Sequence, residues 1–443
     1  MRWLIVGLCP WIVFRSIEQN VFAQEPVAEE PLLFDVDTAA EAGQMDAVQE
    51  DDPPDRSNLD AAEFIGPPIK SVSEGPSARW QVHPHFDTRI TYDDNIFIQP
   101  NNKKPDVSFA ISPGLTVGYF DSPETSDYHL SRSNRASRLN PPTGSFLSAD
   151  YTLTLLEFVH HSSENSVDHE FLLDGQWSDS KWRFGIHYRF LSGAGVDIDI
   201  GGRVNRQVQT VAMDARYDLS DKLFLESNFT RISSDPKGFV SAKENRLTST
   251  INYSLTPLFS VGLGGAVGNL KVEHSPSESV EQILLRTRYM ATEKLVFDAT
   301  GGMEFRHTHD TNSRTTPVVD LGLSYIPFEG TEFTGNVFRR TENSALQGGN
   351  DYTLFGVNSR ISHLLSRGIY LTLGAGYRQA DYMDAPDGNS RSDKYIYIQP
   401  GILWNVNRWF NVQLLYMHGR NRSNDPQFEF SNNQVEIHAS FIF

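Results

Sequence analysis

Arginine, aspartate and glutamate recur at alternate positions along much of this chain, set against apolar neighbours. Trp182, Phe184, Ile186, Tyr188 and Phe190 alternate with Lys181, Arg183, Gly185, His187 and Arg189. Leu295, Phe297, Ala299, Met303 and Phe305 stand against Asp298, Thr300, Gly302, Glu304 and Arg306. A period of two puts the ionic side chains of an extended segment on one face, where they can line water or guide a dissolved solute. The residues placed to do so are Arg183, Arg216, Arg246, Arg286, Arg288, Arg306, Arg360 and Arg378, with Asp298 and Glu304 among them. Mixed signs weigh against strong ion selectivity, because arginines and carboxylates on neighbouring strands pair and stiffen a wall. A ladder of Arg286, Arg288, Arg306 and Arg378 is the sharper reading, and it would guide an anionic solute such as an acidic sugar.

Other chemistry is sparse. His160-His161-Ser162 and His307-Thr308-His309-Asp310 are the best histidine groupings. Both sit where loops begin, and neither has the spacing of a fixed metal site, so solvated loop histidines are expected there. Neither a phosphate-binding glycine loop nor a basic patch for nucleic acid is present. The expectation is a protein that is not an enzyme and needs no cofactor or metal.

The elements that must carry the charged face announce themselves by a repeat. Tyr217, Tyr253, Tyr289 and Tyr325 each stand 36 residues after the last, at the end of an alternating run that enters a short polar corner. That period is one strand pair with its two connections. The runs last about nine to fourteen residues, longer than strands of soluble sheets and suited to a tilted crossing of hydrocarbon. Short corners alternate with longer Asn, Asp, Gly and Ser loops, as in outer-membrane barrels. Tyr217, Tyr253, Tyr289, Tyr325, Trp182, Trp404 and Trp409 flank the short corners, where an interfacial aromatic girdle belongs.

Composition sets the frame. The 443 residues carry a formal charge of -18 and one cysteine. Beyond the N-terminus, no apolar run is long enough for a spanning helix, which does not exclude strands that hide their apolar residues in alternation. Met1 to Ala23 reads as a signal peptide, with Arg2, an apolar run from Trp3 to Phe14, and Val21-Phe22-Ala23 before the cut. Residues 24–79 are rich in acid and proline and poor in aromatics, so a disordered acidic leader is expected. From Trp80 about eighteen strands (16 to 20) fill residues 80–443, an even number that lets an antiparallel up-and-down barrel close. Among them are Lys181 to Leu191, Arg206 to Tyr217 and Pro317 to Tyr325. One connection, Asp121 to Gly144, is long where a short corner is due. Either it is a periplasmic contact loop or the strand register is displaced there by one hairpin.

The segment Thr91-Tyr92-Asp93-Asp94-Asn95-Ile96-Phe97, followed by Asp106-Val107-Ser108-Phe109 and Ile111-Ser112-Pro113-Gly114-Leu115, resembles the opening hairpin of the outer-membrane β-barrel "porin 2" family. That resemblance implies a porin-like channel, with a saccharide or exopolysaccharide connection through the family's gene context. The corner partly recurs at Ile396-Tyr397-Ile398-Gln399-Pro400-Gly401-Ile402. Pro113 and Pro400 cannot donate to a ladder, so each should mark a bulge or bend in the wall. The last strand ends on Phe443, resembling the C-terminal strand by which barrel-insertion machinery recognises its clients.

The expected partners are therefore outer-membrane lipid, the insertion machinery and a small polar or saccharide solute, in the outer membrane of a Gram-negative-type bacterium. The leading function is passive passage of that solute through a porin-like lumen. Two alternatives stand beside it. One is a non-conducting structural or adhesive barrel whose loops bind surface polysaccharide; the other is a soluble secreted β-protein, disfavoured by strand length, girdle and terminal phenylalanine.

Overall fold

The computed structural model describes residues 80–121, 144–292, 294–308, 313–346, 351–383, 390–407 and 409–443. The expected signal peptide, the acidic leader and most of the Asp121 to Gly144 connection lie outside the described residues. The first half of the chain supplies β1 (Trp80–Asp93), β2 (Asp106–Phe120), β3 (Phe146–Phe158), β4 (Ser166–Ser178), β5 (Trp182–Asp197), β6 (Gly202–Asp218), β7 (Leu223–Pro236), β8 (Ala242–Thr256) and β9 (Phe259–Val272). The second half adds β10 (Glu278–Thr292), β11 (Leu295–Thr308), β12 (Ser313–Phe328), β13 (Thr331–Asn343), β14 (Asp351–Ser366), β15 (Ile369–Tyr382), β16 (Ser392–Asn407), β17 (Phe410–Ser423) and β18 (Phe430–Ile442). Every strand pairs antiparallel with its sequence neighbours, and β1 pairs with β18, so the 18-stranded sheet closes into an up-and-down barrel.

Closure removes the free edges that an open sheet would present to lipid. The alternation then sorts side chains between two solvents. On β16, Ile396, Ile398, Ile402 and Trp404 face outward and are about half exposed, while Tyr397, Gln399 and Leu403 between them are buried. On β8, Leu247, Ile251 and Tyr253 face outward, and Glu244, Arg246, Thr248, Thr250 and Asn252 face in. An apolar outer face beside a polar inner face is what a lipid-spanning barrel requires.

The strand pairing decides the register question. Phe120 pairs with Phe146, and β2 and β3 run together to Ser108 and Phe158. No hairpin is displaced, and Asp121 and Ser145, joined backbone to backbone at 3.1 Å, stand at the same end as the short corners. Trp80 and Ile442 begin and end the barrel at that end. Several observed strands outrun their sequence expectation: β12 spans Ser313–Phe328 rather than Pro317 to Tyr325. Of the bulge or bend expected at the two prolines, the bulge is not found. Pairing of β2 with β3 lapses between Ile111↔Leu155 and Gly114↔Thr152, and pairing of β16 with β17 lapses between Ile398↔His418 and Gly401↔Leu415. Both gaps hold equal residue numbers on the two strands, so each proline interrupts a ladder without inserting a bulge. A missing N–H explains the lapse.

The family-like opening segment serves the seam. Asp94 N–H donates to Asn433 O at 3.0 Å, and Asn433 returns its backbone N–H and its Nδ2 to the Asp94 carboxylate at 2.8 and 2.7 Å. Asn95 Nδ2 donates to Ser431 O at 3.2 Å. These bonds tie the β1–β2 loop to the start of β18, where the ring closes.

Candidate functional site

The β5–β6 hairpin behaves unlike the others. β5 pairs with β4 only as far as Ser192, and β6 pairs with β7 only from Arg206. β5 and β6 nevertheless stay paired with each other from Gly193↔Arg206 out to Asp197↔Gly202. The tip therefore leaves the wall as a free-standing ribbon. Gly201 turns it at φ +77°, a conformation that glycine adopts without strain, with the Phe428 ring 3.0 Å from where a Cβ would stand.

The ribbon folds inward and reaches the opposite side of the ring. Val196 and Ile198 are buried in a cluster with Phe338 of β13, Tyr352 and Leu354 of β14, Tyr382 of β15, Tyr395 and Tyr397 of β16, and Met417 of β17. β14 lies nine strands from β5, half of the circuit. All of these contacts lie toward the loop end of the barrel. Burial of the two aliphatic side chains supplies the adhesion, at about 1.5–3 kcal/mol each.

Polar bonds fix the tip's position. Ser344 Oγ donates to the Asp199 carboxylate at 2.8 Å, and the backbone N–H groups of Ala345 and Leu346 donate to it at 2.6 and 3.2 Å. Arg391 donates to the carbonyls of Ile198 at 2.8 Å and Asp199 at 2.7 Å, while its guanidinium lies over the Phe428 and Tyr382 rings. Burial works against the charge of Arg391, but Tyr382, Asp393 and Asp199 outweigh it and raise its pKa above the ordinary guanidinium value. Asp197 pairs with Arg206 within the ribbon. Both tip aspartates are fully buried. A buried carboxylate is tolerated only when its oxygens are satisfied, and here they are.

Below this crossing, the inner wall divides by chemistry. From β6 to β14, arginines and carboxylates interlock. Arg216 meets Asp218 at 2.9 Å and Glu226 at 3.4 Å, and Arg286 meets Glu226 at 2.9 Å. Arg288 stands 3.9 Å from Asp298. Arg246 contacts Glu244 at 2.6 Å and Glu304 at 3.9 Å; Arg306 contacts Glu304 at 2.7 Å and Asp351 at 3.4 Å. Eight of the ten sequence candidates thus have inward positions within or beside this half: Arg183, Arg216, Arg246, Arg286, Arg288, Arg306, Asp298 and Glu304. Arg360 and Arg378, on β14 and β15, also point inward but lie apart from it. Of the proposed ladder, Arg286, Arg288 and Arg306 are matched by carboxylates.

A second inward group pairs histidine with aspartate, and those pairings could not be read from the sequence. His187 sits between Asp174 at 2.7 Å and Asp214 at 3.1 Å, His85 lies 3.1 Å from Asp150, and His438 lies 3.2 Å from Asp87. Among the described residues, no three His, Cys, Asp or Glu side chains are grouped to hold a metal ion. The loop histidines His160 and His161 are less free than expected, since both ring Nδ1 atoms contact the buried Asp106 carboxylate, at 3.0 and 2.7 Å. His309 and Asp310 lie outside the described residues.

The aromatic positions fall on the outer face at the short corners. Tyr253, Tyr289, Tyr325, Trp404 and Trp409 are exposed by 41–49%. Trp182 packs on Tyr217 with ring centroids 4.8 Å apart. The tip of the β5–β6 ribbon was missed because Gly193, Gly195, Gly201 and Gly202 read as an ordinary loop. The alternation of Val196, Ile198 and Ile200 with Asp197 and Asp199 was the available signal, since a solvated loop has no need of it.

Residues 290–441 match the family model described as "Putative beta-barrel porin 2". Over those residues the chain is similar to this family of porin-like outer-membrane barrels. The match covers the end of β10 through β18, and the opening-hairpin motif lies before it. No curated protein matches the chain by sequence. Among solved structures, OpdO of Pseudomonas aeruginosa is similar at 12% identity and a TM-score of 0.46, over 82% of this chain and 97% of that one. OccAB4 of Acinetobacter baumannii shows 11% identity and a TM-score of 0.42, over 83% of this chain and all of that one. OpdL of Pseudomonas aeruginosa shows 9% identity and a TM-score of 0.43, over 83% and 99%.

Proposed function

We propose that this porin-like barrel is a passive channel for small polar solutes, saccharides among them, and that the β5–β6 ribbon sets its narrowest passage. The observation that carries the reading is the ribbon itself: Asp199 is held by β13–β14 loop residues across a lumen whose inner face is polar on both sides. An eighteen-stranded ring is wide enough to hold water once its side chains are in place. A segment spanning that ring obliges a solute to pass beside it. In this reading Arg183, Arg216, Arg246, Arg286, Arg288, Arg306, Arg360, Arg378, Asp298 and Glu304 line the path, and the corner tyrosines and tryptophans seat the barrel in lipid. Export by a signal peptide ending at Ala23, an acidic leader over residues 24–79, and insertion through the strand ending at Phe443 complete the proposal.

The test is conductance of the full chain, purified from outer membranes in detergent and inserted in a planar bilayer. Stable unitary steps are expected. A heat-modifiable, folded barrel that never conducts would transfer the function to its outer loops, as in a structural or adhesive barrel.

A further inference from the structure

The inner face of β14 to β17 near the short corners differs in kind from the ion-paired wall. Ser362 faces Thr372 across β14 and β15, Thr372 faces Gly401 across β15 and β16, Asn405 faces Asn411, and Gln413 faces Leu403. These side chains share the inward face, because Ile361, Leu371, Trp404 and Leu414 alternate with them and are exposed outside. The patch is bounded by Arg360 on β14 and by His438 on β18, but none of its own polar groups is ionic. Ser362 Oγ, Thr372 Oγ1, both amide atoms of Asn405 and of Asn411, and Gln413 Nε2 are buried without a hydrogen-bond partner.

Native interiors satisfy nearly all buried polar atoms. Unpartnered neutral atoms also occur singly on the other half, at Ser234, Thr248, Gln282 and Asn336, but on β14 to β17 they adjoin one another with no ion among them, which marks where something else completes them. Amides and hydroxyls both donate and accept, which fits them to hydroxyl groups rather than to a fixed charge. Tyr370 packs with Leu403 beside Thr372 and Gln413 and offers an apolar surface for C–H groups. A few polar groups converging beside apolar surface is the general make-up of a small-molecule site. On the other wall, Arg216, Arg286 and Arg306 already hold carboxylates, so an anion would have to displace an internal partner.

We propose that the inner face of β14–β17, centred on Thr372, Asn405, Asn411 and Gln413, is a binding track for an uncharged, polyhydroxylated solute, a neutral sugar rather than an acidic one. This track rests on the reading of the chain as a channel and names its solute class. Sugar hydroxyls supply the missing hydrogen bonds during passage.

The experiment adds maltotriose, or trigalacturonate as its acidic counterpart, to the full chain conducting in a planar bilayer. Maltotriose should interrupt the ionic current with a saturating concentration dependence, and trigalacturonate should do so far less. Asn411→Leu with Gln413→Leu should raise the half-blocking concentration of maltotriose by about tenfold, the loss of roughly one or two hydrogen bonds, with ionic conductance retained. Thr372→Val, of the same shape, is the milder variant should the double one fail to fold; it should move the half-block in the same direction. Block by trigalacturonate alone, or a half-block unchanged in folded variants, would overturn the track. If the chain never conducts, the channel reading fails, and equilibrium binding of labelled maltotriose to the detergent-purified barrel decides separately. Binding weakened by the variants sustains the track, and no binding overturns it.

Discussion

The two halves of the inner wall meet the cost of burying polar groups in opposite ways. Between β6 and β14, Glu226, Glu304 and Asp351 each serve an arginine within 3.4 Å, so ions there are matched from within the wall, while neutral atoms of Thr248, Gln282 and Asn336 beside them have no hydrogen-bond partner. Between β14 and β17, Asn405, Asn411 and Gln413 face inward with amide atoms that no described residue satisfies. Charge demands an internal partner, because an ion left alone in a crowded interior is costly; a neutral amide can wait for water or solute. One half is therefore built for rigidity and the other for contact with what passes.

Substitutions can break that distinction. Glu304→Ala should cost about 3 kcal/mol, because it takes the nearest carboxylate from the buried Arg306, leaving Asp351 at 3.4 Å, and removes the acceptor of the buried Gln282 amide. Urea titration of the unheated, folded gel band should show the loss as a lowered midpoint. Asp199→Ala should cost about 1.5–3 kcal/mol locally, since a carboxylate accepting from Ser344, Ala345 and Leu346 is removed while those donors stay buried. Its readout is noisier conductance and faster proteolysis of the β5–β6 ribbon, with the barrel itself intact. Asn411→Leu should stay within about 1 kcal/mol of the parent, because it removes amide atoms that have no partner to lose. A destabilisation as large as that of Glu304→Ala would erase the contrast between the two halves. The smallest effect is expected from Arg288→Gln: a slight shift in reversal potential in a salt gradient, since Arg288 is only loosely placed against Asp298 at 3.9 Å.

The barrel was legible in the sequence because its information is local. A period of two decides which face meets lipid, and Tyr217, Tyr253, Tyr289 and Tyr325 mark corners at a constant interval. The strand count follows from those signals. What each inward residue touches does not, because it depends on how the strands tilt and stagger on closing. Arg286 meets Glu226 from β10 to β7, three strands around the ring, and Arg306 meets Asp351 from β11 to β14. Sequence spacing carries no trace of either pair. The ribbon was hidden for a different reason: its glycines imitate a surface loop, and its destination is half a circuit away. The aromatic cluster that receives it was hidden as well, since Tyr352, Tyr382 and Tyr395 are polar enough to pass for ordinary lumen residues. The family-like motif was legible as a signature but not as a clasp, because Asn433 stands 339 positions after Asp94.

The ribbon across the lumen is the central claim, and the most direct measurement compares unitary conductance of the full chain with that of a variant in which residues 194–204 are replaced by a short glycine turn. A ribbon that narrows the passage predicts stable steps in the parent and larger ones in the shortened variant, both folded by heat-modifiable migration. Equal conductance in the two would contradict it, because the segment crossing the ring would then have no part in setting the width of the path.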